Sequence, residues 1–272
     1  MIVSDRHWIR LNVVVALVAV ATVAQVMLPS GSRAESVPGP IFATAHAHAG
    51  EIPATTHRLT ETHREIYRKF AIIQACLLIG DHLVKVRRWN DALSHFAHSA
   101  DKLNSLPHLP ATALDPSDLA ERLTAVINTV KGQNPLAYNQ MAPSAQKELV
   151  RTLDSYKGSL PTPTTRLAVI VANELLDRAA RAYTSSIEAD AFVNPRSYQH
   201  SRGLVWSAEL LYVDYSVPLE TADLRSLGDI RMLINEIKAG LPSAIPPDAP
   251  KLDTEKFRAH VSRIATISEA YQ

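Results

Sequence analysis

The sequence predicts an all-α chain, seven or eight helices in an irregular antiparallel helical bundle. Three observations predict it. Apolar residues recur at three- and four-residue spacing from about Thr60 to the end of the chain. Prolines and Asn- or Asp-type caps cut that pattern into segments of helical length. Asn-Gly and Asp-Gly turns and long alternating runs, the marks of hairpins and strands, do not occur.

The segments follow in order. Thr60 is placed to cap a long helix running toward Val86, with Ile66, Phe70, Ile73, Leu77 and Val84 as its apolar stripe. Asn90 reads as the cap of a second helix whose Leu93, Phe96, Ala97, Ala100 and Leu103 face inward, and Pro107 and Pro110 end that unit. Asp115-Pro116 opens a third helix to about Val130, because proline is tolerated in a first helical turn. Pro143 opens a fourth to about Tyr156, closed by Gly158 and Pro161. Residues 164–191 form the longest periodic segment. Asn194-Pro195 opens a helix to about Tyr212, residues 219–239 form the next, and Asp253 caps a last helix to about Tyr271.

Ahead of these lies an address. Arg6 and Arg10 precede an uncharged run, Leu11 to Leu28, followed by Pro29, Gly31 and the small-residue pattern Ser32-Arg33-Ala34. A basic start, an apolar stretch and small residues before a cut describe a signal peptide over residues 1–34. The rival reading is an uncleaved N-terminal membrane anchor, since the run nearly reaches the roughly 20 residues that span a bilayer. Either reading puts the remainder in the periplasm, exported free or anchored to the inner membrane. Residues 35–58, with Pro38, Gly39, Pro40, Gly50 and Pro53, read as a flexible lead-in containing histidines, and residues 59–272 as the helical domain.

The 272 residues carry 28 Lys plus Arg and 27 Asp plus Glu, so no strongly basic face points to nucleic acid. Cys76, the one cysteine, excludes an intrachain disulfide and a multi-cysteine zinc site. It sits in the apolar stretch Ala71 to Ile79 and reads as a buried thiol. G-x-S-x-G, P-loop, G-x-G-x-x-G and C-x-x-C-H signatures are missing from the sequence.

Residues 76–103 resemble a tetratricopeptide-type helical hairpin through Ile79-Gly80, Leu83, Trp89-Asn90, Ala92 and Phe96, although Ser99 stands where that repeat has Ala. The longer stretches Leu78 to Val84 and Arg88 to His98 resemble an uncharacterised family of exported bacterial all-helical proteins. Tyr183, Ser186-Ile187-Glu188, Tyr198-Gln199-His200 and Gly203-Leu204-Val205 extend that resemblance, which implies fold and location more than activity. A looser similarity, through Gly80 and His82, is to imelysin-like periplasmic proteins with a G-x-H-x-x-E element. Here Lys85 replaces the acid, which is unfavourable for a cation.

Eleven histidines supply the candidate chemistry. His95 and His98 are three apart and share a helix face, and antiparallel packing of the first two helices would bring Asp81 or His82 toward them. Three imidazoles and a carboxylate would suit Zn, Cu or Fe. The plain alternative is that both histidines flank Phe96 and hydrogen-bond neighbouring helices. A second candidate set is His46, His48, His57 and His63, spaced for loose binding of Cu(II) or Zn(II) on the lead-in. A third group, Glu174, Asp177, Glu188, Asp190, His200 and Glu209, reads as surface ion pairs, with Arg178 and Arg181 placed to neutralise the first two acids. Tyr183, Trp206, Tyr212 and Tyr215 read as core more than as a cofactor patch.

These features describe an exported, non-catalytic helical binding protein. Its expected role is a scaffold for a protein partner in the periplasm or at the inner membrane, with transition-metal binding as an added capacity. The contrasting reading is a metal-dependent enzyme or metal carrier using His82, His95 and His98.

Overall fold

The computed structural model describes residues 54–107, 115–160 and 164–272, with side chains from Glu61 onward. The leader and most of the lead-in, including His46 and His48, lie outside the described residues, as does the His57 side chain. Eight α-helices are present among the described residues: α1 Ala54–Lys85, α2 Trp89–Asn104, α3 Ser117–Lys131, α4 Pro135–Gly158, α5 Thr164–Ser185, α6 Pro195–Asp214, α7 Ser216–Ala239 and α8 Thr254–Ser268. Residues 53–272 form one compact unit.

α1 is its axis. Ile66, Tyr67, Phe70, Ala71, Ile72, Ile73, Ala75, Cys76, Leu77, Leu78 and Ile79 are all buried, so this helix hides every side of its middle turns, as a helix apolar all round must. It packs on α2 and α6 and also touches α4 and α5. Around it α3 pairs with α4, α5 with α6, and α7 with α8. Burying each Leu or Ile removes apolar surface from water worth about 1.5–3 kcal/mol, and the core is continuous through all eight helices.

Small residues set how closely the central helices approach. On the α1–α2 hairpin a Cβ added to Gly80 would lie 2.7 Å from Cζ of Phe96, so the ring occupies the space a side chain would need. Where α6 crosses α1, Gly203 faces Ala75, and one turn on Ser207 Oγ donates to the Ala71 carbonyl at 2.8 Å. That hydroxyl is thereby satisfied inside the core.

Several boundaries differ from the sequence expectation, each for a local reason. α1 starts at Ala54, so residues 54–58 are helical and Thr60 lies inside the helix instead of capping it. α2 starts at Trp89 behind a turn at Arg87 (φ 61°); its cap position is Arg88, which makes no side-chain cap and instead pairs with Asp91 at 2.8 Å. α4 starts at Asn134-Pro135, where Asn134 Oδ1 accepts from Ala137 N at 3.0 Å, and Pro143 sits within it. This is the same cap-plus-proline pair as Asn194-Pro195, where Asn194 Oδ1 accepts from Ser197 N at 3.1 Å. The segment expected as one helix over 164–191 stops at Ser185. It continues as a two-residue antiparallel pairing, β1 Ile187–Glu188 with β2 Ala191–Phe192, turned at Ala189 and Asp190, both with positive φ. Such a turn normally holds Asn-Gly or Asp-Gly, so the sequence carried no signal for it. In α7, Asp223 leaves helical geometry (φ −160°, ψ 95°), and its carboxylate accepts from Arg225 N and from Ser226 N and Oγ. It acts as an internal cap that restarts the helix. Asp115 and Asp253 accept from the first free amides of α3 and α8 as their positions predict.

Cys76 is fully buried and unpaired, and burial pushes its thiol up to about 12. The expected aromatic group is dispersed. Tyr183 packs on Phe257 and Phe192, Trp206 lies under Arg202 and Lys238, and Tyr215 reaches Tyr67 through their hydroxyls at 3.3 Å.

Candidate functional site

α2 and α6 both pack on α1 and meet each other through side chains, His95 with Gln199 and His98 with His200. The cap at Asn194 fixes the first turns of α6, which then present Gln199 and His200 toward α2. From α2 come His95 and His98, one turn apart on a common face.

His95 is buried and its Nε2 lies 3.1 Å from Gln199 Oε1; the amide oxygen can only accept, so the ring N–H donates. Burial brings His95 down to about 4, opposed by the Gln199 bond. His98 and His200 are half-buried, and their rings meet edge to face with centroids 5.8 Å apart and planes at 84°. Burial, then the neighbouring His98, brings His200 down to about 4, while His98 is lowered by burial and then by Lys102. Arg196 and Arg178 add positive charge nearby. Each of these shifts favours the neutral imidazole, the form in which a ring nitrogen keeps its lone pair.

Behind Gln199 opens a cavity of about 320 Å³ lined by Arg88 on the α1–α2 turn, Phe192 of β2, Pro195 at the start of α6, and Pro246, Pro247 and Asp248 of the proline-rich loop. Gln199 thus has one face on the cavity and its amide oxygen on His95.

The other candidate residues go elsewhere. The Asp81 carboxylate accepts from the Tyr138 hydroxyl at 3.1 Å and pairs with Lys85 at 2.6 Å, so its partners are on α4 and on its own helix. His82 occupies the neighbouring position near the end of α1. His63 Nδ1 lies 2.8 Å from the Tyr156 hydroxyl, and burial lowers that histidine. Glu174 is held between Arg64 and Arg68 of α1 instead of by Arg178, whereas Asp177 pairs with Arg181 as its spacing suggests. Glu209 pairs with Lys238 of α7 at 2.7 Å. Among the described residues no group of three or more His, Cys, Asp or Glu is arranged to hold one metal ion. The partners the sequence reading missed are Gln199 for His95 and His200 for His98. Their signal was a Gln-His pair in the first turns after a strong helix start, without a clue that these side chains reach α2.

Residues 159–272, which span α5 to the end of the chain, match the family model of an iron permease-associated 4-helix bundle domain. The match takes in Gln199 and His200 but not His95 and His98. It covers less than half of the chain, and it is to neither of the named families that the α1–α2 region resembles. Neither the curated proteins nor the solved structures contain a match to the chain.

Proposed function

We propose that this chain is a non-catalytic helical binding protein that works with a membrane iron permease, on the outer face of the inner membrane. The observation that carries this reading is the likeness of residues 159–272 to the iron permease-associated domain. That stretch contains four α-helices, α5 to α8, as a four-helix bundle requires. No helix among the described residues is long and apolar enough to cross a membrane. Attachment to the permease would therefore be through the helical surface, and delivery to the membrane face through residues 1–34 acting as leader or anchor. α7 exposes Val217, Leu224 and Met232, which gives it apolar side chains free of the core.

The test is photo-cross-linking in native membranes from a reactive residue placed at Val217 or Leu224, combined with iron-uptake measurement after deletion of the gene. A cross-link to the permease together with reduced uptake is expected. Unchanged uptake and no permease adduct from either position would overturn the reading. A reporter fused after residue 272, active only outside the cytoplasm, checks the location separately.

A further inference from the structure

We propose that His98 and His200 form a two-imidazole site for a borderline divalent transition ion, Cu(II) or Zn(II), where side chains of α2 and α6 meet. The inference stands on the geometry of this pair and does not depend on the permease reading. With metal–nitrogen bonds of about 2.0–2.1 Å and a ring radius of about 1.2 Å, two imidazoles sharing an ion at tetrahedral or wider angles have centroids roughly 5.3–6.5 Å apart. The observed separation, 5.8 Å with the ring planes at 84°, falls within that span. The two donors come from different helices, each anchored independently: His200 by the capped start of α6, His98 by the turn that buries His95 and Phe96 below it.

The surroundings select the ion. Imidazole nitrogen is a donor that suits borderline ions. Lys102, Arg196 and Arg178 contribute positive charge, which weakens binding of any cation and penalises a trivalent ion more than a divalent one. Two protein donors leave the remaining positions to water, so the site is open and exchangeable and not a closed structural centre. His95 is excluded as a ligand through Nε2, which is engaged by Gln199.

The experiment uses the full chain purified without a histidine tag, carrying His46→Ala, His48→Ala and His57→Ala so that lead-in histidines do not contribute. Zn(II) titration by calorimetry and Cu(II) electron paramagnetic resonance are the readouts. One ion per chain is expected, with a nitrogen signature from two imidazoles. His98→Gln and His200→Gln should each weaken binding at least about tenfold, while His260→Gln on α8, where His260 faces Glu236, should not. His200→Phe keeps the edge-to-face ring contact and removes the donor, so it separates ligation from packing; circular dichroism checks that it folds. Absence of saturable binding, or binding that survives both His98→Gln and His200→Phe, overturns the site.

Discussion

Gly203 and Ala75 bring the backbones of α6 and α1 into contact: a Cβ on Gly203 would lie 2.6 Å from the Ala75 carbonyl oxygen. A peptide oxygen inside a helix has no rotamer into which it can retreat. Gly203→Ala therefore forces the helices apart, and the loss should exceed about 2 kcal/mol despite the roughly 1 kcal/mol that Ala gains in helix propensity. Ala75→Gly should not rescue it, because the obstruction is backbone. At Gly80 the obstructing atoms are the far end of the Phe96 ring, so Gly80→Ala should cost less, and Phe96→Leu should recover part of that cost. Urea denaturation of the four variants measures the difference.

Acid should unfold the protein through its histidines. His95 and His200 both lie near 4 when folded, against 6.5 for the free group. Their folded values are depressed, so the unfolded chain binds more protons between those limits and stability falls as pH drops from about 6.5 toward 4. Each group contributes a slope of at most about 1.4 kcal/mol per pH unit. Unfolding free energy against pH should flatten in His95→Asn and again in the double variant with His200→Asn. An unaltered slope would show that these rings titrate normally.

How much of this was legible beforehand varies by residue. The Asn194 and Asp253 caps are local chemistry and were readable, as was the burial of Cys76 from its apolar neighbours. The Gly80–Phe96 contact follows from a short hairpin. Asn134-Pro135 carried the same signal as Asn194-Pro195 but was overshadowed by Pro143, which α4 absorbs. The His98–His200 pair depends on which helix crosses which, and nothing in residues 95–98 encodes that. Glu174 illustrates the same limit: its spacing pointed to Arg178 nearby, yet the folded chain supplies Arg64 and Arg68 from α1.

The Ala189-Asp190 turn holds an alanine at φ 47°, where an L-residue with a Cβ costs roughly 1–2 kcal/mol. Ala189→Gly removes that cost and adds back unfolded-state entropy of about 0.5–1 kcal/mol. A net gain of about 0.5–1 kcal/mol and a higher melting temperature are expected from calorimetry. A lower melting temperature would contradict the turn geometry.

Glu174 joins α5 to α1 through Arg64 and Arg68, with the Arg68 contact at 3.2 Å. The carboxylate is mostly shielded while Arg64 is over a third exposed, so solvent screening limits the pair's value. Glu174→Gln should cost about 1 kcal/mol, and a double-mutant cycle with Arg68→Met should show coupling that diminishes in high salt. Zero coupling at low salt would mean the two helices are held by packing alone.

The sealed thiol of Cys76 has a practical corollary. Because it is fully buried and protonated, modifying reagents reach it only when α1 separates from its neighbours. Its labelling rate in native buffer is thus a clock for the opening of the whole bundle, supplied by the wild-type chain. A second cysteine engineered on the surface would react first, so fluorophores can be attached to the folded protein without removing the native one.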